Sequence, residues 1–404
     1  MLCHGITLGP EGPRAAHART VGGLVHDDDM APAVTRDAVL RRRVRAQQLD
    51  RTAGPDGPHR DATVLDLGVQ DTGPDGARWA LALRGATTTY DERVLAWTLR
   101  GAPHLYRRVE VAEVAAATAP WSEQDAAKRI FDASKPLRAA GVPVLDALDE
   151  VGRVMREVVT GPTVKGQVSG ALTERLSAPY LRECRPCQAV HSHEQTFRLA
   201  ALRVGLELEP GTSPPVLRPV PGWRGRAGHV PEHLDVVRAL LRLLGPATPQ
   251  EVAAYVDAPV RDVRARWPED AVDVQVDGVT RSLLAADLDA LLAAEDPDAG
   301  PDPGAVRLLG PFDLFLQGRD RELVVPDADA RKDLWRVLGR PGGLLVGHEV
   351  VGTWRPRTAG RRLRLQVTVW DGSELGADVR RALEQEAERL ATFRGQAFAG
   401  FVED

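Results

Sequence analysis

Cys184-Arg185-Pro186-Cys187, followed by His191 and His193, is the one cluster in this 404-residue sequence whose residue types and spacing suit a metal ion. Two cysteines three apart chelate zinc, and a histidine four residues further on reaches the same ion. Cys184, Cys187 and His191 are therefore candidate ligands of a structural Zn2+, with His193 completing the set only through a tight fold-back. A structural zinc takes four ligands, so a pair of buried, unmetallated thiols is the other reading. Three cysteines in all cannot build a disulfide framework, which fits a reducing, cytoplasmic setting.

The second chemistry is phosphate recognition. A net charge of −5 argues mildly against whole-chain affinity for nucleic acid, so local clusters matter more. Only Lys128, Lys135, Lys165 and Lys332 are lysine among 52 basic residues, a bias that suits a GC-rich bacterial genome and is no signal by itself. Arg355, Arg357, Arg361, Arg362 and Arg364 form the densest cluster, around a hairpin between strands. Arg261, Arg264 and Arg266 fall on the outward face of a short helix. Guanidinium groups pair with phosphates and guanine edges, whereas the plainer reading of each cluster is solvated surface.

The elements that must position these residues follow from periodicity and punctuation. No run of about 18 apolar residues exists, and the first 29 residues lack a basic start before an apolar stretch, so neither a membrane span nor a secretory signal is predicted. Residues 1–29 lack periodicity and end in Asp27-Asp28-Asp29, which reads as a disordered tail or a mis-assigned start before Met30. Linker-like stretches at 54–58, 210–228 and 296–304 divide the rest into 30–140, 141–225, 226–300 and 301–404.

The third segment is the most legible. Leu234, Val237, Leu240, Leu241 and Leu244 share one helical face, and Thr248-Pro249-Gln250-Glu251 is a capping-box start. Pro259 starts another helix, in which Val260, Val263 and Trp267 face inward. Val272, Val274 and Val276 then alternate with polar residues, and Asp277-Gly278 turns the chain into a second strand from Val279 to Leu284. Helices followed by such a ribbon give the winged helix-turn-helix order, whose third helix usually enters the DNA major groove. In 141–225, Leu145, Leu148, Val151, Met155 and Val158 form a helical stripe, Thr163–Leu176 a second helix, and Pro179 starts a third. In 30–140, Thr35 caps a helix to about Gln48, and Trp79–Leu83 alternates like a strand. The last segment has strands at 344–346, 350–354 and 363–369, then a closing helix capped by Ser373. The predicted class is α+β: tandem winged helix-turn-helix modules followed by a small C-terminal β-rich, barrel-like domain with a terminal helix.

Several strings carry a resemblance. Leu309-Gly310-Pro311-Phe312-Asp313, Gly318-Arg319-Asp320-Arg321 and Val350-Val351-Gly352-Thr353-Trp354-Arg355 resemble the AlkZ/YcaQ-like family of winged-helix proteins. So do Gly68-Val69-Gln70-Asp71-Thr72-Gly73 and Leu99-Arg100-Gly101-Ala102-Pro103-His104. The resemblance spans about residues 35–395, and its characterised members are DNA glycosylases that excise bulky or crosslinked N7-alkylpurines. It implies double-stranded DNA as partner, a cytoplasmic, nucleoid-associated setting, no membrane, no obligate protein partner and no cofactor for the chemistry.

The family signature is glutamine, an apolar residue, then glutamine or aspartate. Here Gln70 matches the first position, Asp71 takes the apolar one, and Thr72 stands last. An N7-alkylpurine is already cationic and leaves easily, so the enzyme must place a water at C1′ and stabilise an oxocarbenium-like centre. The resemblance thus assigns Asp71 as water activator or electrostatic stabiliser and Gln70 as the group that positions the water. The alternative is that Asp71-Thr72-Gly73-Pro74-Asp75-Gly76 is an Asx-type turn with a backbone role. Arg100 and His104 fall in the other matching string and are assigned to DNA, His104 equally to a packed structural role. Alternative functions are a non-catalytic winged-helix DNA-binding protein, regulatory or lesion-shielding, and a protein scaffold without salt-dependent DNA affinity.

Overall fold

The computed structural model describes residues 31–402 except 52–56, 74, 186–187, 371 and 373–374, so the expected tail at 1–29, part of the first linker, Cys187 and the Ser373 cap lie outside the described residues. Among the described residues no helix is long and apolar enough to cross a membrane.

The best-punctuated segment folds as its caps dictate. Thr248 Oγ1 accepts the Glu251 N–H at 3.2 Å while Glu251 Oε2 accepts the Thr248 N–H at 2.8 Å, starting the helix Pro249–Val256. The helix Val236–Leu244 precedes it and the short helix Val260–Arg264 follows. Ala271–Val276 pairs antiparallel with Val279–Leu284, and Asp277 and Gly278 both take positive φ (49° and 77°), as a two-residue hairpin turn requires. This layer also recruits the N-terminal segment. Ala33–Val34 pairs parallel with Gln275–Val276, and the helix Arg36–Ala46, capped by Thr35, packs on Val236–Leu244. Gln47 Nε2 donates to the Leu243 carbonyl at 3.0 Å.

The linker-derived boundaries therefore do not mark separate cores. A six-stranded sheet runs in the order Val69–Gln70, Pro103–Arg107, Arg93–Trp97, Leu206–Leu208, Val216–Pro219, Thr163–Val164, joining residues from both sides of position 140. One apolar core extends from this sheet through Val144–Val158 into Val236–Leu244, and a second lies under the C-terminal sheet and the helix Arg36–Ala46.

Two local expectations are corrected. Trp79–Leu83 belongs to the helix Gly76–Leu83, not a strand. Ala77, Ala80 and Leu81 enter the first core while Trp79 and Leu83 enter the second, so burial on both sides replaces the one-sided helical stripe with apparent alternation. Pro179 starts only the 3-10 turn Ala178–Tyr180, after which the chain makes the hairpin Leu181–Cys184/Ala189–Ser192 and then the helix Glu194–Arg203.

The C-terminal sheet orders its strands Val306–Leu309, Gly342–Val346, Glu349–Ala359, Arg362–Val369 and Ala397–Val402. No sheet among the described residues closes into a barrel. The helix Ala377–Phe393 instead packs against both edge strands, Val306–Leu309 and Ala397–Val402, and so fills the side where closure would occur. That helix is not terminal, because Ala397–Val402 returns to pair in parallel with Arg362–Gln366.

Candidate active site

Gln70 ends an edge strand and lies opposite His104 in the antiparallel pair. The Asp71 N–H donates to the Pro103 carbonyl at 2.8 Å, and the chain turns so that Asp71 Oδ1 accepts the Ala77 N–H at 2.9 Å. Asp71 thus caps the helix Gly76–Leu83 from six residues away, a longer reach than the i to i+2 contact of an Asx-type turn. Gly76 is needed for this approach, since a Cβ there would stand 2.5 Å from Asp71 Oδ1.

The Gln70 carboxamide is held at both ends. Its Nε2 donates to Thr72 Oγ1 at 3.0 Å, and its Oε1 accepts from Gln317 Nε2 at 3.2 Å and from the Arg100 guanidinium at 3.4 Å. Gln317 follows the 3-10 turn Leu314–Leu316, which Asp313 caps by accepting the Phe315 N–H at 3.0 Å. Asp313 in turn takes a bidentate pair from Arg84, at 2.8 and 2.9 Å. The Gly-Pro-Phe-Asp string thereby anchors a partner of Gln70, a role with no local signature.

Burial raises the Asp71 carboxyl above its ordinary range, opposed by the Ala77 N–H and by Arg78. Tyr90 is close enough to feel that carboxylate, and burial together with its charge pushes the phenol up to about 12. His104 is 1% exposed and makes 3.0 Å contacts from Nδ1 to Thr98 Oγ1 and to the Ala102 carbonyl. Burial, reinforced by Arg100, pushes its pKa down to about 3. The expected charged contact to DNA is therefore corrected: His104 is a neutral, packed residue behind the turn.

Arg100, read from sequence only as a DNA contact, stands beside the turn through Gln70 Oε1. It adopts a left-handed backbone (φ 58°), donates to the Tyr255 carbonyl at 2.7 Å and stacks on the Tyr255 ring at 4.4 Å. Around it converge arginines that sequence reading missed as a group. Arg340 lies over Phe312 at 5.1 Å and Arg321 over Trp335 at 5.0 Å. Burial and then the charges of Arg321, Arg319 and Arg100 lower Arg340 to about 10. Arg319 is lowered by burial and then by Arg100 and Arg321, with Asp257 a smaller opposing influence. Arg319 Nε and Arg340 Nε are buried without a hydrogen-bond partner. Mutually repelling, partly desolvated guanidinium groups beside a carboxamide make a site for an anionic ligand.

The other expected residues are exposed or engaged with neighbours of their own. Arg261 and Arg264 are exposed on the short helix Val260–Arg264, with Arg261 paired to Asp262 at 3.2 Å. Arg357, Arg361 and Arg362 are exposed on the long hairpin, Arg357 donating to Gln366 at 2.6 Å. Arg355 is half-buried and donates to the Gly339 carbonyl at 2.5 Å. Cys184 and His191 line one cleft, but Arg182 stands directly opposite His191 in the hairpin and lines it too. His193 turns inward, 3.9 Å from Asp132, away from a ligand role. Of the candidate zinc ligands, Cys184 and His191 line this one cleft together with Arg182, and Cys187 lies outside the described residues.

The family model described as "DNA glycosylase AlkZ-like" matches residues 64–393. No curated protein matches the chain. Among solved structures, the DNA glycosylase AlkZ of Streptomyces sahachiroi is similar with a TM-score of 0.67 and 20% sequence identity, over 92% of this chain and 99% of that one. That likeness is one of fold. The family match spans the turn Gln70-Asp71, Arg100 and the whole arginine cluster, and by it the chain belongs to the AlkZ-like DNA glycosylase family.

Proposed function

We propose that this protein hydrolyses the N-glycosidic bond of alkylated or crosslinked N7-purine nucleotides in duplex DNA. The observation that carries the reading is the turn itself. A half-buried carboxylate with raised basicity lies next to a glutamine whose orientation three neighbours set, and an anion-seeking arginine cluster adjoins it.

In the mechanism, Asp71 Oδ1 stays with the Ala77 N–H, and Oδ2 takes the proton of the attacking water or faces the developing positive charge at the sugar. The Gln70 amide carries two N–H bonds, one directed to Thr72; the other orients the water. Arg100, Arg319, Arg321 and Arg340 hold the flanking phosphates, with Arg261, Arg264, Arg357, Arg361 and Arg362 extending the contact. The layer formed by Arg36–Ala46, Val236–Arg264 and Ala271–Leu284 acts as a winged helix on the duplex.

The test is release of free N7-alkylguanine from duplex DNA by purified protein. Wild type that binds duplex DNA and releases no base sinks the enzymatic reading. Asp71→Asn keeps an oxygen for the Ala77 N–H and removes the charge, so turnover should fall by about a hundredfold or more while binding and folding persist.

A further inference from the structure

Val337 and Leu338 are 98% and 86% exposed, an adjacent apolar pair at the tip of a loop between Arg336 and Arg340. Single exposed apolar residues are ordinary, but a neighbouring pair held almost wholly in water is not explained by packing within this chain. The loop is firmly braced. Trp335 Nε1 and the Arg340 guanidinium both donate to the Leu316 carbonyl, at 3.0 and 3.3 Å. Arg355 holds the Gly339 carbonyl at 2.5 Å, Gly339 turns the chain at φ 62°, and Arg336 is tied to Asp333 at 2.5 Å. Leu316 immediately precedes Gln317, whose amide donates to Gln70. The apolar tip is therefore fixed relative to the candidate active turn.

We propose that Val337 and Leu338 are a wedge that enters the base stack of duplex DNA next to the nucleotide presented to Gln70 and Asp71. The inference rests on the reading of this chain as a duplex-DNA enzyme. Apolar side chains inserted at a base step displace stacking and bend or open the duplex, and cations at their flanks hold the strained backbone. Arg340, Arg321 and Arg319 supply those cations at the loop's base. The same charges oppose the other occupant of an apolar tip, a second copy of this chain bringing an identical arginine-rimmed face.

The experiment uses the full chain and a duplex with 2-aminopurine beside an N7-methylguanine. Wild type is expected to raise 2-aminopurine fluorescence about threefold or more as the base unstacks. The Val337→Ser/Leu338→Ser variant should lose most of that rise and release base from duplex about tenfold more slowly, while duplex affinity changes less than about threefold. Thermal melting should not move, because neither side chain is packed. Wild type that binds and releases base without any fluorescence rise overturns the wedge and leaves the glycosylase reading intact. Wild type that unstacks the duplex but releases nothing sinks the glycosylase reading alone. A double-serine variant with an unaltered fluorescence rise overturns the wedge, as does a DNA-free wild-type dimer in sedimentation that this variant abolishes.

Discussion

Arg84 donates to both carboxylate oxygens of Asp313, at 2.8 and 2.9 Å, and both side chains are 0% exposed. The pair joins the end of the helix Gly76–Leu83 to the turn that carries Gln317, so it fixes two sides of the candidate site at once. Asp313→Asn leaves a buried guanidinium without its counter-charge. Stability should fall by about 3–5 kcal/mol in urea unfolding. An Arg84→Met/Asp313→Leu variant should recover much of that loss, because the desolvation penalty disappears with both charges. Equal instability of the single and double variants would show that the Arg84 hydrogen bonds to Gln47 and the Ala80 carbonyl, and not the uncompensated cation, are at stake.

Asp71 makes a prediction in pH. Its carboxyl is raised above the ordinary 3.8 by burial, and a base acts only when deprotonated. The single-turnover rate, after subtraction of spontaneous depurination, should fall on the acid side with a midpoint above 3.8. Asp71→Asn should lose about a hundredfold or more in rate and the acid limb with it. Asp71→Ala should in addition lower stability by about 1 kcal/mol through loss of the cap. A full acid limb persisting in Asp71→Asn would assign the titration to another group.

How far the sequence spoke depended on how local each cause was. The Thr248–Glu251 box, the Asp277-Gly278 turn and the Thr35 cap act within a few residues and were legible from residue types alone. Trp79–Leu83 was not, because its cap comes from Asp71 and Trp79 donates to the Leu308 carbonyl across the fold. The Gln70–Gln317 contact and the meeting of Arg100 with Arg319 and Arg340 depend on chain returning over more than two hundred residues, so no window of sequence displays them. The exposed hairpin arginines were conspicuous in sequence, whereas the half-buried cluster was hidden among ordinary ones.

His104 predicts a pH-dependent stability. Its folded pKa is pushed down to about 3 from 6.5, so below pH 6.5 the unfolded chain binds a proton that the folded chain refuses. The contribution of neutral His104 is present above pH 6.5 and is lost as pH falls toward 3, with a limiting slope of about 1.4 kcal/mol per pH unit. His104→Asn should be less stable than wild type at pH 7.5, and the gap should narrow by pH 4.5. A gap independent of pH would mean that the imidazole is protonated alike in both states.

Arg340 separates binding from stability. In the free protein its guanidinium is partly buried against Arg319, Arg321 and Arg100, a repulsion that a bound phosphate would relieve. Methionine preserves contact with the Phe312 ring and removes the charge, and Trp335 still holds the Leu316 carbonyl. Arg340→Met should therefore weaken duplex binding and flatten the slope of log K against log salt by about 0.9 if one phosphate contact is lost. Its melting temperature should rise, because the desolvated charge and its repulsion are gone. Arg357→Met on the exposed hairpin should flatten the slope similarly with no change in melting, since its Gln366 contact lies in solvent. A lower melting temperature with an unchanged salt slope for Arg340→Met would place this residue in the scaffold and leave the phosphates to the hairpin arginines.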